Sequence, residues 1–141
     1  MSMTVSPVHA ERVLTVLDHV RLAGLLRRGA QQAHAPSSTL VDLIDAADLV
    51  PSREVDPDVV TMYTQVLVAD ADGTRRKLTL CYPSDAEPES GFVSVLSPVG
   101  AALLGQRVGG TARWTTPGGE TRTAEIVAIL FQPEASGDYT T

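Results

Sequence analysis

The stretch VTMYTQVLVADADGTRRKLTLCY, residues 60–82, decides the fold, because it reads as two extended segments joined by a turn. VTMYTQVLV (60–68) and TRRKLTLCY (74–82) are rich in the β-branched and aromatic residues that suit a pleated, half-buried surface. Asp70-Ala71-Asp72-Gly73 between them is suited to joining antiparallel strands. A β domain is therefore expected to begin at Val59.

Downstream the extended pattern continues. FVSVL, residues 92–96, fits a central strand. Pro98 opens a brief helix, PVGAALLG, in which Gly100, Ala101 and Ala102 allow close approach. TARWTT and ETRTAEIVAILF flank Pro117-Gly118-Gly119 and read as a second hairpin.

Upstream the apolar period lengthens to that of a helix. Ser6-Pro7 reads as a helix start, and Val13, Val16, Leu17 and Val20 form one apolar face. Glu11, Arg12, Asp18 and Arg21 are expected to face water. The helix extends to about Arg28, weakened at Gly24 and stopped at Gly29. Thr39 and Asp42 begin a second helix with a stripe of Leu40, Leu43, Ile44 and Ala47, which Pro51 ends. Two stripes with a short link predict an antiparallel helical hairpin, a short coiled coil whose second arm is on the order of 15 Å long. The expected organisation is α+β: a hairpin over 1–50, a linker over 51–58 (PSREVDPD), and the β domain over 59–141.

Composition narrows the function classes. Seventeen acidic against 11 basic residues give a formal charge of -6, which disfavours a nucleic-acid backbone and points to a protein partner. Aromatic residues make up only 4%, too few for stacking along single strands. No stretch approaches the ~20 apolar residues of a membrane span, and the N-terminus lacks the pattern of a secretory signal, so a cytoplasmic location is expected. The single cysteine, Cys81, is expected to be a small buried side chain.

The run SVLSPVGAALLGQRVGG (94–110), the PGG turn and the ending FQPEASGDY (131–139) resemble the C-terminal domain of the Gre/Rnk family of bacterial RNA-polymerase-binding transcription factors, closest to its Rnk branch. The resemblance extends from about Asp56 to Tyr139 and includes DVVTMY (58–63) and CYPSDA (81–86). It implies an FKBP-like β domain that docks at the rim of the polymerase secondary channel. The docking loop of the family matches Ser97 and Pro98 here, with Val99, Gly100 and Ala101 as neighbours. In the cleavage factors, two acidic residues at the tip of a long coiled coil help hold a catalytic magnesium ion. The corresponding tip here, Gly29 to Ser38, contains no Asp or Glu. Binding to RNA polymerase without cleavage stimulation is therefore expected, by occlusion or competition, from a monomer that is not an enzyme.

Sharper chemistry finds little support. Asp42, Asp45 and Asp48 lie on a neighbouring stripe of the second helix and form a possible acidic arm for a cleavage accessory factor; a solvated face is the plainer reading. His9, His19 and His34 lack metal-ligand spacing, so no metal and no cofactor is expected. There is no nucleophile elbow for Ser–His–Asp chemistry, and an FKBP-like fold does not by itself confer isomerase activity. Trp114 reads as a half-buried strand aromatic, and Arg75-Arg76-Lys77 as solvated protection of a strand edge. An interaction module with a different protein partner is the remaining alternative.

Overall fold

The computed structural model describes residues 12–30, 38–116 and 118–137. Ser6, Pro7, His9, His34 and most of the expected tip lie outside them. The architecture is α+β, with helices and a curled sheet. In chain order it comprises β1 (Val13–Thr15), α1 (Val16–Ala30), α2 (Ser38–Ala46), β2 (Asp48–Val50), β3 (Gln65–Asp70), β4 (Arg75–Cys81), β5 (Phe92–Ser94), α3 (Pro98–Leu103), β6 (Thr111–Thr115) and β7 (Thr121–Phe131).

The main sheet has the order β5-β4-β3-β7-β6. The β3–β4 hairpin closes where expected: Gly73 takes φ +88, its N–H donates to the Asp70 carbonyl at 2.8 Å, and Asp70 N–H donates to the Thr74 carbonyl at 2.8 Å. β6 and β7 pair antiparallel from Thr111↔Glu125 to Thr115↔Thr121. Two register irregularities against β3, at Gln65/Val66 and Leu67/Val68, bend the long β7.

Three expectations about local structure need correction. Residues 60–64 are not strand: Thr61 to Thr64 form a tight turn, and β3 starts at Gln65. The segment expected as a central strand over 92–96 is an edge strand, parallel to β4, that ends at Ser94. There the Ser94 hydroxyl accepts from Leu96 N–H at 3.0 Å and starts a turn. Val13 belongs to β1, not to a helix face, and β1 pairs in parallel with β2. The helix starts only at Val16 because the Thr15 hydroxyl accepts the Asp18 N–H at 3.0 Å, an N-cap that interrupts the apolar run. Likewise α2 stops at Ala46, ahead of Pro51, because the next residues pair with β1.

One hydrophobic cluster serves both sides of residues 51–58. Leu14, Leu22, Leu40, Leu43 and Ile44 share it with Val66, Val68, Leu80, Leu103, Leu104 and Ile126. α3 lies against β6 and also meets α2, β4 and β5. Hydrogen bonds secure the N-terminal strand to this core: Val13 N–H donates to the Gly105 carbonyl at 3.2 Å, and the Arg12 guanidinium donates to the carbonyls of Ala101 and Leu104 at the C-terminal end of α3. Cys81 is buried, its thiol donating to the Val93 carbonyl at 3.4 Å.

Candidate functional site

The corner between β5 and α3 is built by three residues. Ser97 is the N-cap of α3: its Oγ accepts the Gly100 N–H at 3.1 Å and donates to the Ser94 carbonyl at 2.6 Å. Pro98 at the first helical position loses no hydrogen bond there and stands exposed. Gly100 is required by close approach, since a Cβ at that position would lie 2.0 Å from the Ser94 carbonyl oxygen. Ser97 and Val99 are half-buried, whereas Gly100 and Ala101 are buried. Of the five residues singled out in the sequence, three therefore reach the surface, and the other two seat the helix that presents them.

The acidic residues divide differently from expectation. Asp42 and Asp45 are exposed on α2, but Asp48 lies in β2 opposite Val13, so the three do not form one helical stripe. The helix ends before Asp48 because its N–H donates to the Arg12 carbonyl at 3.0 Å. Among the described residues no three His, Cys, Asp or Glu side chains gather closely enough to hold a metal ion. His19 instead approaches the Ile44 carbonyl at 3.2 Å, joining α1 to α2. Trp114 packs its half-buried ring against the core, and Arg75 to Lys77 are exposed on the part of β4 that β5 leaves uncovered.

A buried polar network was missed entirely. Asp18, expected to face water, is 1% exposed, and its Oδ2 accepts the Met62 N–H at 3.2 Å. Beside it, the Thr61 hydroxyl donates to Glu134 at 2.7 Å and lies 2.9 Å from the Thr64 hydroxyl, which also accepts the Thr61 N–H at 2.9 Å. Gln132 closes the arrangement by donating to the carbonyls of Asp56 at 2.8 Å and Val59 at 2.7 Å. The segments DVVTMY and FQPEASG, far apart in the chain, thus meet around one turn. Tyr63, within it, adopts a left-handed φ of 66°. Burial pushes the Asp18 carboxyl up to about 6; the Met62 N–H opposes this, the nearby Glu134 carboxylate adds to it, and the Arg21 guanidinium opposes it. The Thr15-x-x-Asp18 spacing was the available sequence signal, since it is a capping pattern that turns Asp18 back toward the strand.

On the far side of this network Tyr63 and Tyr82 pack at 5.8 Å between ring centroids, tilted by 56°. The Tyr63 hydroxyl donates to the Asp85 carboxylate. Burial and that carboxylate push the Tyr63 hydroxyl up to about 12, and burial with the Asp18 charge raises Tyr82 as well.

A fold of this order, with a capped helix entering from the edge strand, has counterparts among transcription factors. The C-terminal family model of the transcription elongation factors GreA and GreB matches residues 54–131, and the chain belongs to that family. The regulator of nucleoside diphosphate kinase of Escherichia coli K12 is 36% identical over 139 residues, covering 98% of this chain and 96% of its own. The GreA elongation factor of Solidesulfovibrio magneticus is 45% identical over 75 residues, 52% of this chain and 45% of that protein. A solved GreA/GreB structure from Nitrosomonas europaea superposes with a TM-score of 0.71 at 33% identity, covering 85% of this chain and 99% of that one. These relatives are named as regulators or elongation factors and not as catalysts. Among the described residues no helix is long and apolar enough to cross a membrane.

Proposed function

We propose that this chain binds RNA polymerase at the rim of its secondary channel and regulates transcription by occupying that site in competition with cleavage factors, without stimulating cleavage itself. The observation that carries the reading is the Ser97-Pro98 corner, in a chain of the GreA/GreB family: an exposed proline held by a doubly bonded serine. In this reading Ser97, Pro98 and Val99 make the contact, and Gly100 and Ala101 hold them in place. An FKBP-like domain over 59–141 carries the loop. A helical hairpin within 1–50, linked through 51–58, reaches toward the channel as a short arm. The protein acts as a cytoplasmic monomer without a cofactor.

The acid-free tip from Gly29 to Ser38 supports the absence of cleavage stimulation, because magnesium is held by hard oxygen ligands in a shaped site. Binding of the purified protein to core polymerase, with and without a cleavage factor as competitor, tests the whole reading. Saturable binding with mutual displacement is expected. Ser97→Glu with Pro98→Ala should abolish it while circular dichroism stays unchanged; full affinity in that variant would remove the docking assignment. On a backtracked elongation complex no shortening of RNA is expected. Magnesium-dependent shortening would instead favour a cleavage accessory role for Asp42 and Asp45.

A further inference from the structure

Val66, Val68, Leu78 and Leu80 turn into the core, where the helices lie, so the residues alternating with them along β3 and β4 turn to the opposite side of the main sheet. On that outer side one line of paired residues crosses four strands: Phe92 of β5 with Thr79, Thr79 with Gln65, and Gln65 with Phe131 of β7. The rings at its two ends are the only phenylalanines of the chain, and they stand 38% and 48% exposed. Their backbones are three strand spacings apart, about 14 Å. Leu67 and Ala128, the next pair along, are half-buried and continue the apolar surface. Contiguous exposed apolar surface with a polar rim marks an interaction site.

The charge of this face is opposite to that of the chain. Arg75 and Lys77 of β4 and Arg113 of β6 are exposed on it against one carboxylate, Glu125 of β7, so three positive charges against one negative leave +2 in a chain of -6. Among the described residues none of these three cations makes an ion pair, whereas Arg76 and Arg122, on the core side of the same sheet, are taken up by Asp70 and Glu120. Charge beyond roughly 8 Å is screened at physiological salt, so an approaching ligand meets the face and not the chain average. Lys77 and Arg75 are two positions apart, about 7 Å, along the stretch of β4 that β5 leaves uncovered. Glu87, bridged to Phe92 at the rim, accepts from the Ser90 hydroxyl and turns an anionic ligand away from that end, toward Lys77.

We propose that the outer face of the main sheet binds single-stranded RNA, with Phe92 and Phe131 as platforms for bases and Lys77, Arg75 and Arg113 as partners of the phosphates. Exposed rings beside unpaired cations are the combination that holds a single strand, and stacking tolerates any sequence because every base has a π face. Gln65 and Thr79, between the two rings, make no side-chain hydrogen bond among the described residues. They meet a 2′-hydroxyl, which both donates and accepts, and so favour RNA over DNA. The low aromatic content and acidic balance of the whole chain average over this face and do not describe it. The face shares no residue with the Ser97-Pro98 corner and does not rest on polymerase docking.

The test is a titration of a fluorescent oligouridylate of 12 nucleotides with the full chain, followed by anisotropy. Half-saturation is expected below roughly 300 µM protein in 50 mM salt, within the ordinary range of sequence-independent binding. Three phosphate contacts on a single strand predict a slope of about -2 in log affinity against log salt, so 200 mM salt should weaken binding about 20-fold. Lys77→Gln should lower that slope by about 0.7. Phe92→Ala and Phe131→Ala should each weaken binding at least about fivefold, and Phe131→Leu, which keeps the apolar cover and removes the π face, should do the same. Both rings are exposed, so circular dichroism of these variants should match the parent. Oligodeoxyuridylate, which lacks only the 2′-hydroxyls, should bind more weakly. Half-saturation not reached by roughly 300 µM would overturn the proposal, as would full affinity in the folded phenylalanine variants. Equal affinity for the deoxy probe would overturn the assignment to RNA. Binding of a labelled oligoglutamate of the same length in place of the RNA would overturn it too, and would give the face to an acidic protein segment.

Discussion

Replacing Asp18 by asparagine isolates the energetic consequence of a buried carboxylate. Asp18 is 1% exposed and makes one hydrogen bond through Oδ2, to Met62 N–H, which an asparagine oxygen can also accept. Its carboxyl is pushed from the ordinary 3.8 to about 6, chiefly by burial, with the Glu134 carboxylate adding and Arg21 opposing. The folded state therefore holds the proton more tightly than the unfolded one. The resulting stability is fully present below pH 3.8 and is lost as pH rises through about 6. At about 1.4 kcal/mol for each tenfold change in proton affinity, the loss comes to about 3 kcal/mol. The variant carries no such charge. Urea unfolding of both proteins at pH 4 and pH 7.5 should show Asp18→Asn gaining on the parent by about 2–3 kcal/mol between the two conditions, and being the more stable at pH 7.5. A difference that does not change with pH, or a variant less stable at pH 7.5, would refute the account of Asp18 as an ionised group held at a cost.

Three further outcomes follow from the geometry. Gly100→Ala places a Cβ 2.0 Å from the Ser94 carbonyl oxygen, so it should cost about 3 kcal/mol in chemical unfolding as α3 is forced off β5. Thr61→Val keeps the shape of the side chain but removes the hydroxyl that donates to Glu134, and should cost about 2 kcal/mol in the same assay. Cys81, buried and with its thiol pushed up by burial, should react with a disulfide reagent only at the rate of unfolding, so that denaturant accelerates labelling sharply.

Much of the β architecture was legible because its signals are local. Asp70 to Gly73 and the Pro-Gly-Gly turn each specify a hairpin within a few residues, and Ser97-Pro98 specifies a helix start in two. The short parallel pair of β1 and β2 was not legible. Three residues such as Val13-Leu14-Thr15 fit a helix face as well as a strand, and their partner lies 35 positions away. The corner at Ser97 could be located from its residues, but which of its neighbours reach the surface depends on Ser94, whose carbonyl crowds Gly100. The network around Asp18 lay furthest from view. Polar side chains carry no periodicity, and Thr61 and Glu134, 73 positions apart, come together only after the chain between them has folded.

That separation sets the order of events when the chain is synthesised. β3 can pair with β4 as soon as their hairpin is made, but its other neighbour, β7, ends at Phe131, and the turn at Thr61 takes its bonds from Gln132 and Glu134. Contacts of such long range are slow to form because the loop they close must be ordered first. Until residue 134 has cleared the ribosome, Thr61 and the carbonyls of Asp56 and Val59 lack the side chains that bond them, and one side of β3 remains an open edge. The nascent chain therefore reaches its native closure only once residues 132–134 have emerged, and a chain truncated after Phe131 would never acquire it.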